Sequence, residues 1–308
     1  MKNYLITGAA GFIGAAVARK LVSLGHYVVT IDNLTTGKES NIPDGVFFVK
    51  GDCGDPGVFS KIPNKDFDAI IHIAGQSSGE ISFDDPVYDI KTNTVSTLLL
   101  LDFAIQNNCD RFIYAGTMSV YGIQPDNQVK EEARCNPTSF YGVGKLASEC
   151  YMEIYRAYGI KTTSLRLFNV YGPGQNMDNL RQGMVSIYLA QLHNHGFIEV
   201  KGSLDRYRDF VYIEDVVESF LRCLTIRDSE NKIINIGTGI KTTVRELVTL
   251  LFELYEKPLD IRQSRPTAGD LHGIYADVRK MQATLKIIDP LSLSSGLEKM
   301  TQWIEEKK

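Results

Sequence analysis

The residues that most clearly suggest chemistry in this chain are a tyrosine and a lysine four positions apart, Tyr141 and Lys145. On a helix, positions i and i+4 share a face, so the lysine ammonium would lie beside the phenol. A neighbouring positive charge lowers the phenol pKa, which starts near about 10, and so prepares tyrosine to take a proton from a hydroxyl group. Such pairs also arise by chance on helix surfaces, so the spacing alone does not establish an active site.

A third candidate is the hydroxyl of Thr117. It lies in the segment Gly-Thr-Met-Ser-Val-Tyr-Gly, residues 116–122, directly after a run at 111–115 that is predicted to be a strand. Ligands in open α/β sheets bind at the carboxyl ends of strands, where a hydroxyl can hold a reacting oxygen between itself and Tyr141. A simple turn residue is the alternative.

A glycine-rich turn predicts a phosphate site near the amino terminus. Gly8, Gly11 and Gly14 follow a first strand and open a helix that runs to about residue 24. Glycines let backbone N–H groups approach a pyrophosphate, and the helix N-terminus favours negative charge. The spacing is GxxGxxG rather than GxGxxG, and a plain tight turn is the alternative. Asp32, at the end of the second strand and followed by Asn33, can bind ribose hydroxyls and would repel a 2′-phosphate, which favours NAD over NADP.

These residues need a scaffold, and the sequence predicts an α/β fold with a doubly wound parallel sheet of Rossmann type. Short apolar runs alternate with helical patterns over the first 170 residues, as buried parallel strands should. The predicted strands of this part are 4–7, 27–32, 46–50, 69–73, 111–115 and 162–168. After residue 168 we predict a turn-rich stretch at 169–175, strands at 198–201, 210–212 and 233–236, and helices at 183–195, 244–254 and 297–305. We expect residues 1–168 to form the NAD-binding domain, with 209–237 returning to it, and residues 169–208 and 238–308 to form a smaller α/β substrate-binding lobe.

Composition excludes several classes of protein. The chain has 308 residues, 33 basic and 37 acidic, and a formal net charge of −4. Such a charge does not attract a polyanion, so nucleic acid is not an expected partner. The five cysteines form no CxxC pair, which favours a reducing compartment and no metal site. Because no signal sequence or apolar run of about 20 residues is present, we expect a cytoplasmic protein without a membrane partner.

Taken together, the motifs resemble the extended short-chain dehydrogenase/reductases of the NAD-dependent epimerase/dehydratase family, in the style of nucleotide-sugar 4-epimerases of the UDP-glucose type. The resemblance covers nearly the whole chain. It is carried by TGAAGFIG at 7–14, DN at 32–33, GD at 51–52, HIAGQ at 72–76, TNTVST at 92–97, GTMSVYG at 116–122, YGVGK at 141–145, RLFNVYGPGQ at 166–175, RDFVYIEDV at 208–216 and AGD at 268–270.

The resemblance implies NAD as cofactor, a nucleotide-diphosphate sugar as substrate, and a role for each matching residue. The implied catalytic residues are Thr117, Tyr141 and Lys145. The implied cofactor-binding residues are Gly8, Gly11, Phe12, Ile13, Gly14, Asp32, Asn33, Asp52, Cys53, Ala74, Gly75, Asn93, Tyr141, Lys145 and Phe168. The implied substrate-binding residues are Thr117, Tyr141, Asn169, Arg208 and Asp270. Two alternatives stay open: Asp52 as a turn carboxylate, and Arg208 in a local ion pair with Asp209.

The residues after Thr117 favour one reaction within the family. Where 4,6-dehydratases of the family carry Asp-Glu, this chain has Met118 and Ser119, and decarboxylases carry glutamate at the position of Ser119. Neither side chain here is a general acid at neutral pH. The remaining set of Thr117, Tyr141 and Lys145 suffices to remove a hydride from C4 of a sugar and to return it to the opposite face of a 4-keto intermediate. Epimerisation is therefore the expected reaction.

Two other functions stay open at this point. A net oxidoreductase, such as a 4-keto sugar reductase, would use the same three residues, and a non-catalytic dinucleotide-binding protein would not need them together. Arg265 lies five residues before Asp270, further than the family's nucleotide-binding arginine, and Ile274 does not decide whether N-acetylated sugars fit. The family also commonly dimerises through two helices, which here would span about 95–107 and 141–158. Because both segments are rich in apolar residues, we expect a homodimer with a four-helix contact.

Overall fold

Strands and helices alternate along the first half of the chain, and their bounds are clear in the computed structural model, which describes residues 1–125, 128–266 and 272–306. Its strands are β1 (Asn3–Thr7), β2 (Tyr27–Asp32), β3 (Val46–Lys50), β4 (Ala69–His72), β5 (Arg111–Thr117), β6 (Gln128–Val129), β7 (Lys161–Leu167), β8 (Asn169–Tyr171), β9 (Ile198–Lys201), β10 (Tyr207–Arg208), β11 (Phe210–Tyr212), β12 (Lys232–Ile236), β13 (Thr242–Thr243), β14 (Ile261–Ser264) and β15 (Tyr275–Ala276). Its α-helices are α1 (Phe12–Ser23), α2 (Pro86–Ile90), α3 (Ser96–Gln106), α4 (Phe140–Tyr155), α5 (Met184–His195), α6 (Ile213–Thr225), α7 (Val244–Leu254), α8 (Arg279–Leu285) and α9 (Leu293–Glu305), and a π-helical turn, Lys91–Val95, joins α2 to α3.

Seven strands form one sheet in the order β12-β7-β5-β4-β1-β2-β3, and every neighbouring pair is parallel. From β1 the chain moves outward to β2 and β3, then crosses back to β4 and continues outward on the other side. This is the doubly wound Rossmann arrangement, and it confirms the predicted fold class. In such sheets ligands bind outside the carboxyl ends of the strands, where the order reverses. That point here lies between β1 and β4.

Helices cover both faces of this sheet because successive strand residues point to opposite sides. In β1, Ile6 packs into an apolar cluster with Val17 of α1 and Phe220 of α6. Its neighbour Leu5 packs into a second cluster, which includes Leu101 of α3. Both strand residues are completely buried, so the strands read as continuous apolar runs rather than as an alternating pattern.

The remaining strands form four small two-stranded sheets. β8 pairs in parallel with β11, β9 with β14 and β15 with β6, whereas β10 and β13 are antiparallel. The prediction of a turn-rich stretch at 169–175 was therefore wrong at its beginning. Val170 and Tyr171 continue as a strand beside β11, and the chain turns only at Gly172, whose φ is +145°.

Two elements, β5 and α9, begin or end at other residues than the sequence predicted. β5 continues two residues beyond the predicted 111–115, so Thr117 is the last residue of a strand rather than part of a loop. Helix α9 begins at Leu293 instead of residue 297, because the Ser292 side chain caps it by accepting a hydrogen bond from the N–H of Ser295 over 3.3 Å. The first shift places the Thr117 hydroxyl at the edge where ligands bind.

A buried arginine at the start of β5, Arg111, lies at the amino-terminal ends of the central strands, opposite the ends where ligands bind. The guanidinium of Arg111 donates to Thr163 Oγ1 over 2.7 Å, to the carbonyl of Cys223 over 2.9 Å and to Ser229 Oγ over 3.1 Å. A further bond of 2.9 Å reaches the carbonyl of Lys161. One side chain therefore ties β5, β7 and the end of α6 together.

The part of the chain that the structure describes contains neither a membrane-spanning helix nor a cluster of metal ligands. No helix in residues 1–125, 128–266 and 272–306 is long and apolar enough to span a bilayer. Over the same ranges, no group of three or more His, Cys, Asp or Glu side chains is arranged to hold a metal ion.

Candidate active site

The turn between β1 and α1 is built from glycines that leave no room for side chains. Gly8 has a φ of +83°, and a Cβ atom there would lie 2.8 Å from the backbone nitrogen of Ala74. Gly11 is the N-cap of α1, with no side-chain cap, and donates its N–H to the carbonyl of Gly8 over 3.1 Å. A Cβ atom at Gly14 would collide with the backbone of Gly8 and Ala9. The helix N-terminus is thus arranged as an uncapped anion site.

A cleft of about 320 Å³ opens beside this turn, at the carboxyl ends of β1, β2 and β4. Most of the predicted cofactor residues line it: Gly8, Gly11, Phe12, Ile13, Gly14, Asp32, Asn33, Asp52, Cys53, Ala74 and Gly75. Other lining residues had not been predicted, among them Thr35, Thr36, Gly37, Gln76, Ser77, Tyr88, Thr92, Gln175, Asn176, Asn179 and Gln182. A signal was present for Gln76, Thr92 and Gln175, because each stands in one of the motifs that carry the family resemblance. A glycine cradle at one end and an acidic strand end together fit a dinucleotide such as NAD.

The acidic strand end is held in place by backbone groups. Asp32 Oδ2 accepts a hydrogen bond from the N–H of Ala10 over 2.9 Å, and Oδ1 accepts one from Leu34 over 2.8 Å. Beside it, Asn33 Nδ2 donates to Asp52 Oδ2 over 3.2 Å. The carboxylates of Asp32 and Asp52 therefore lie at one side of the cleft.

Behind the cleft, a buried chain of hydrogen bonds supports the end of β4. Thr7 Oγ1 accepts hydrogen bonds from the N–H of Ala74, over 3.1 Å, and from that of Ile73, so its hydroxyl donates to His72 Nδ1 over 2.7 Å. Ser96 Oγ donates to the carbonyl of Thr92, so His72 Nε2 carries the proton that it shares with Ser96 over 3.2 Å. Burial lowers the pKa of His72, which agrees with a neutral ring. His72 is therefore a packed structural residue.

Thr117, Tyr141 and Lys145 converge beside the cleft. Tyr141 lies in the first turn of α4, whose N-cap Ser139 accepts a hydrogen bond from Gly142, and the side chain of Thr117 interacts with its phenol. Lys145 follows one turn later, with its Nζ 5.9 Å from the centre of the Tyr141 ring, and donates to the carbonyl of Ala115 over 3.1 Å. All three side chains are buried. The spacing on α4 thus places phenol and ammonium on one face.

The structure does not show the expected lowering of the Tyr141 pKa. Burial raises the pKa of Tyr141 to about 12, and the hydrogen bond from Thr117 opposes that rise only in part. Burial also lowers the pKa of Lys145 to about 8. The sequence shows the spacing of the pair but not its desolvation, which disfavours both charged forms.

Two other predicted cofactor residues lie outside the cleft lining. Asn93 is completely buried and donates from Nδ2 to the carbonyl of Gln76 over 2.9 Å; its Oδ1 faces Gly75 and has no hydrogen-bond partner among the described residues. Phe168 packs into a small apolar cluster that includes Tyr121 and Ile274. Asn93 therefore reaches the site from behind Gly75, whereas the Phe168 ring is part of the core.

On the substrate side, the structure describes Asn169 and Arg208 but not Asp270, which lies outside the described residues. The Oδ1 atom of Asn169 is buried and has no hydrogen-bond partner among the residues described. Arg208 is buried, its Nη1 donates to the carbonyl of Tyr207 over 2.7 Å, and burial with the nearby charge of Arg206 lowers its pKa to about 10. These are properties of groups prepared for a polar or anionic ligand.

The neighbouring Asp209 has a structural task. Its carboxylate accepts hydrogen bonds from the backbone of Thr238, Gly239 and Ala276, at 2.7, 2.9 and 3.1 Å. It therefore joins three segments behind Arg208. Arg265, whose role the sequence left open, is exposed in the loop after β14.

Comparisons with known proteins agree with this geometry. Residues 4–237 match the model of the NAD dependent epimerase/dehydratase family. The chain is 33% identical to a putative UDP-glucose 4-epimerase of Methanocaldococcus jannaschii, over 98% of each chain, and 28% identical to a dTDP-4-dehydro-6-deoxyglucose reductase of Escherichia coli, again over 98% of each.

Solved structures give the same result. A UDP-glucose 4-epimerase from Thermotoga maritima, crystallised with UDP-glucose, superposes with a TM-score of 0.95, at 32% identity and over 99% of both chains. A UDP-glucose 4-epimerase from Thermus thermophilus in complex with NAD gives 0.90, at 30% identity and over 98% of this chain and 99% of that one.

Proposed function

Because the chain belongs to the NAD-dependent epimerase/dehydratase family, we propose that it inverts one carbon of a nucleotide-diphosphate sugar, namely C4 of a UDP-hexose. The observation that carries this proposal is the convergence of the buried side chains of Thr117, Tyr141 and Lys145. A Cβ atom at Gly75, which lines the dinucleotide cleft, would lie 3.6 Å from the Lys145 Nζ atom. The similarity to UDP-glucose 4-epimerases supports the proposal.

The three side chains have separate tasks in this reaction. Tyr141, as the phenolate, takes the proton from the sugar hydroxyl and returns it at the end. Thr117 holds the same sugar oxygen, because its side chain ends β5 beside the Tyr141 phenol. Lys145 stabilises the phenolate by its charge, which acts strongly here because all three groups are buried. A 4-keto sugar is formed and then reduced on its opposite face.

NAD, when bound, supplies the acceptor and later the donor of the hydride. The chain would hold its pyrophosphate at the glycine turn of Gly8, Gly11 and Gly14 and its adenosine ribose at Asp32, with Asp52 towards the adenine. No net oxidation occurs in epimerisation, so the cofactor acts as a retained catalyst.

The sugar nucleotide must be anchored while its sugar turns over. We assign the anchor to Arg208 and Asn169. The buried guanidinium of Arg208 suits a diphosphate, and the buried Oδ1 atom of Asn169, which has no partner among the described residues, can accept a hydrogen bond from a hydroxyl group of the substrate. Asp270 would bind the nucleoside ribose. In this scheme residues 1–168 and 209–237 bind the cofactor, and residues 169–208 and 238–308 bind the substrate.

A nucleotide-sugar reductase is the second candidate. The similarity to the dTDP-4-dehydro-6-deoxyglucose reductase of E. coli supports it, because a reductase needs the same tyrosine, lysine and threonine. Dehydration or decarboxylation is disfavoured, since Met118 and Ser119 follow Thr117 and neither is a general acid at neutral pH. The two remaining reactions differ in whether NAD(P)H is consumed.

One assay distinguishes them. Purified protein is incubated with a panel of UDP, dTDP, GDP and CDP sugars without added cofactor, and the products are resolved. We expect interconversion of two UDP-hexoses that differ at C4. A parallel incubation contains a 4-keto nucleotide sugar and added NADH or NADPH. Consumption of the added cofactor there, with no conversion of the parent sugar in the first incubation, would instead indicate the reductase.

We also propose a homodimer in the cytoplasm. On α4, Val143, Tyr151 and Ile154 are exposed, and on α3 Leu98 and Leu99 are only half-buried. Such apolar side chains on adjacent helices are suited to a four-helix contact with a second copy. All five cysteines are unpaired, as is usual in a reducing compartment.

A further inference from the structure

Asp89 is a buried carboxylate next to the active site that the reaction above does not use. It lies on α2 and is completely buried. Its Oδ1 accepts hydrogen bonds from Gln76 Nε2 over 3.0 Å and from Asn93 Nδ2 over 3.1 Å. Its Oδ2 is buried and has no hydrogen-bond partner among the described residues. A buried charge is costly without compensation, so a positive group is expected nearby.

The unpartnered oxygen lies against the catalytic helix. A Cβ atom at Gly144 would be 3.1 Å from Asp89 Oδ2, so the carboxylate packs on α4 directly beside the position that carries Lys145. The charges of Asp89 and Lys145 interact, each favouring the ionised form of the other. Lys145 is itself buried, and the loss of hydration disfavours its ammonium form. Burial raises the pKa of Asp89 and lowers that of Lys145, and the charge of each group opposes the effect of burial on the other.

The other acidic groups around Lys145 are paired or neutral. Glu149, on α4, is held by two nitrogen atoms of the Arg166 guanidinium, with the shortest contact at 2.7 Å. Cys53, in the loop after β3, has a thiol pKa raised to about 12 by burial. Neither presents a free negative charge to the ammonium group at neutral pH.

The aromatic groups that face Lys145 carry no charge either. The Nζ atom lies 4.6 Å from the centre of the Tyr114 ring on β5, and burial raises the pKa of that phenol. Tyr141 has a pKa raised to about 12, and the pKa of His72 on β4 is lowered by burial and by the charge of Lys145. Among the described residues around the ammonium group, Asp89 is thus the one acidic side chain without a cationic partner of its own.

We propose that Asp89 is the buried counter-charge of Lys145, a positioning residue that keeps the ammonium group charged beside Tyr141. The inference rests on the proposed function, since it assigns Tyr141 as the base. The hydrogen bonds from Gln76 and Asn93, which come from the loop after β4 and from the π-helical turn, hold the carboxylate in this place. Gly144 allows the close approach, because any side chain there would meet the carboxylate.

Removing the charge must change the pH dependence and not only the rate. Without Asp89, Lys145 loses its proton at lower pH, and a neutral lysine no longer supports the tyrosine phenolate. Asp89→Asn keeps the size and an oxygen that can accept from Gln76 and Asn93. We expect its alkaline activity limb to move down by about one pH unit, and its maximal rate to fall about tenfold. Asp110→Asn, which removes a surface charge at the start of β5, is the matched control and must leave the limb in place.

A second measurement does not depend on turnover. Lysine labelled with ¹³C at Cε is followed by NMR against pH, with Lys145 assigned by its loss in Lys145→Met. A midpoint that falls by about one unit in Asp89→Asn and in the smaller Asp89→Ser supports the proposal, whereas an unchanged midpoint overturns it. If neither variant folds, the wild-type protein decides: a Lys145 midpoint near 8 supports the counter-charge, and a lysine already neutral at pH 7 refutes it. Wild-type protein that converts no nucleotide sugar would contradict the proposed function alone, since the NMR result would still stand.

Discussion

The carboxylate of Asp32 accepts a hydrogen bond from the backbone N–H of Ala10 over 2.9 Å, and so joins the end of β2 to the glycine turn. Its other oxygen is held by the N–H of Leu34 over 2.8 Å. A ribose that binds here meets a carboxylate whose orientation is already fixed, and ordering it on binding costs little. The same fixed charge lies where a 2′-phosphate would have to go.

Replacing Asp32 with asparagine removes this charge at constant size. We expect NAD to bind about 10- to 100-fold more weakly, because a hydrogen bond to a charged group contributes about 1.5–3 kcal/mol. The preference for NAD over NADP should also shrink, since the repulsion of the 2′-phosphate is lost. Calorimetric dissociation constants for both cofactors check this, with Asp44→Asn as the control. An unchanged NAD:NADP ratio would show that Asp32 does not select the cofactor.

Tyr141→Phe removes one hydroxyl from the site. Turnover should fall about 10²- to 10⁴-fold, the range that general acid–base groups contribute, while NAD affinity stays within about twofold. The measurement is a steady-state rate together with the NAD content of the purified protein. Tyr27→Phe, which makes the same change at the far end of β2, should behave as wild type. A variant that keeps more than a tenth of the activity would exclude Tyr141 as the base.

Lys145 should make stability depend on pH in the alkaline range. Its pKa is lowered from 10.5 to about 8 by burial. Between these values the unfolded chain holds a proton that the folded chain has released, so wild-type stability rises with pH in this window. The cost of burying the charge is fully present below about pH 8. The free energy of unfolding of Lys145→Met should therefore fall relative to that of wild type between about pH 8 and pH 10.

Urea unfolding at several pH values measures that difference. Lys161→Met, which changes an exposed lysine, supplies the control, and its difference from wild type should show no such decline. If the difference in stability between Lys145→Met and wild type is the same at pH 7 and pH 10, the ammonium group is not desolvated in the folded protein.

The proposed dimer predicts an effect of charge on the exposed face of α4. Ile154 is 57% exposed, and a glutamate in its place would be buried without a partner between two copies. We expect Ile154→Glu to be monomeric by light scattering at concentrations where the wild-type protein is a dimer. Ile288→Glu alters an equally exposed residue outside α3 and α4 and should leave the mass unchanged. Equal masses for all three proteins would reject the four-helix contact.

The part of the site that the sequence revealed is the part built from neighbouring residues. The glycine turn and Asp32 belong to a single β-α-β unit, and the regular geometry of that unit brings them together. Gln175 and Gln182 line the same cleft, although they lie more than 140 residues after Asp32 in the sequence. They belong to loops that have no periodic pattern. Their place depends on how the small sheets after β7 pack, which no local pattern encodes.

Burial was the second quantity that the sequence did not provide. The spacing of Tyr141 and Lys145 was predicted, but the pKa of Tyr141 is shifted in the opposite direction, because burial and the charge of Asp89 both raise it. Asp89 was missed, although it stands four residues before Asn93, a spacing that places both on one face of a helix. An acidic residue and an amide with this spacing were a usable signal.

Mutations at the two ends of β5 should have different effects, because Arg111 lies at its first residue and Thr117 at its last. The Arg111 guanidinium holds backbone carbonyls and hydroxyls at the amino ends of β5 and β7, at the opposite end of β5 from Thr117. In a library of random variants, substitutions around Arg111 should therefore lower the yield of folded protein, while the folded protein that remains should have normal specific activity. Substitutions around Thr117 should leave the yield of folded protein normal but abolish its enzymatic activity.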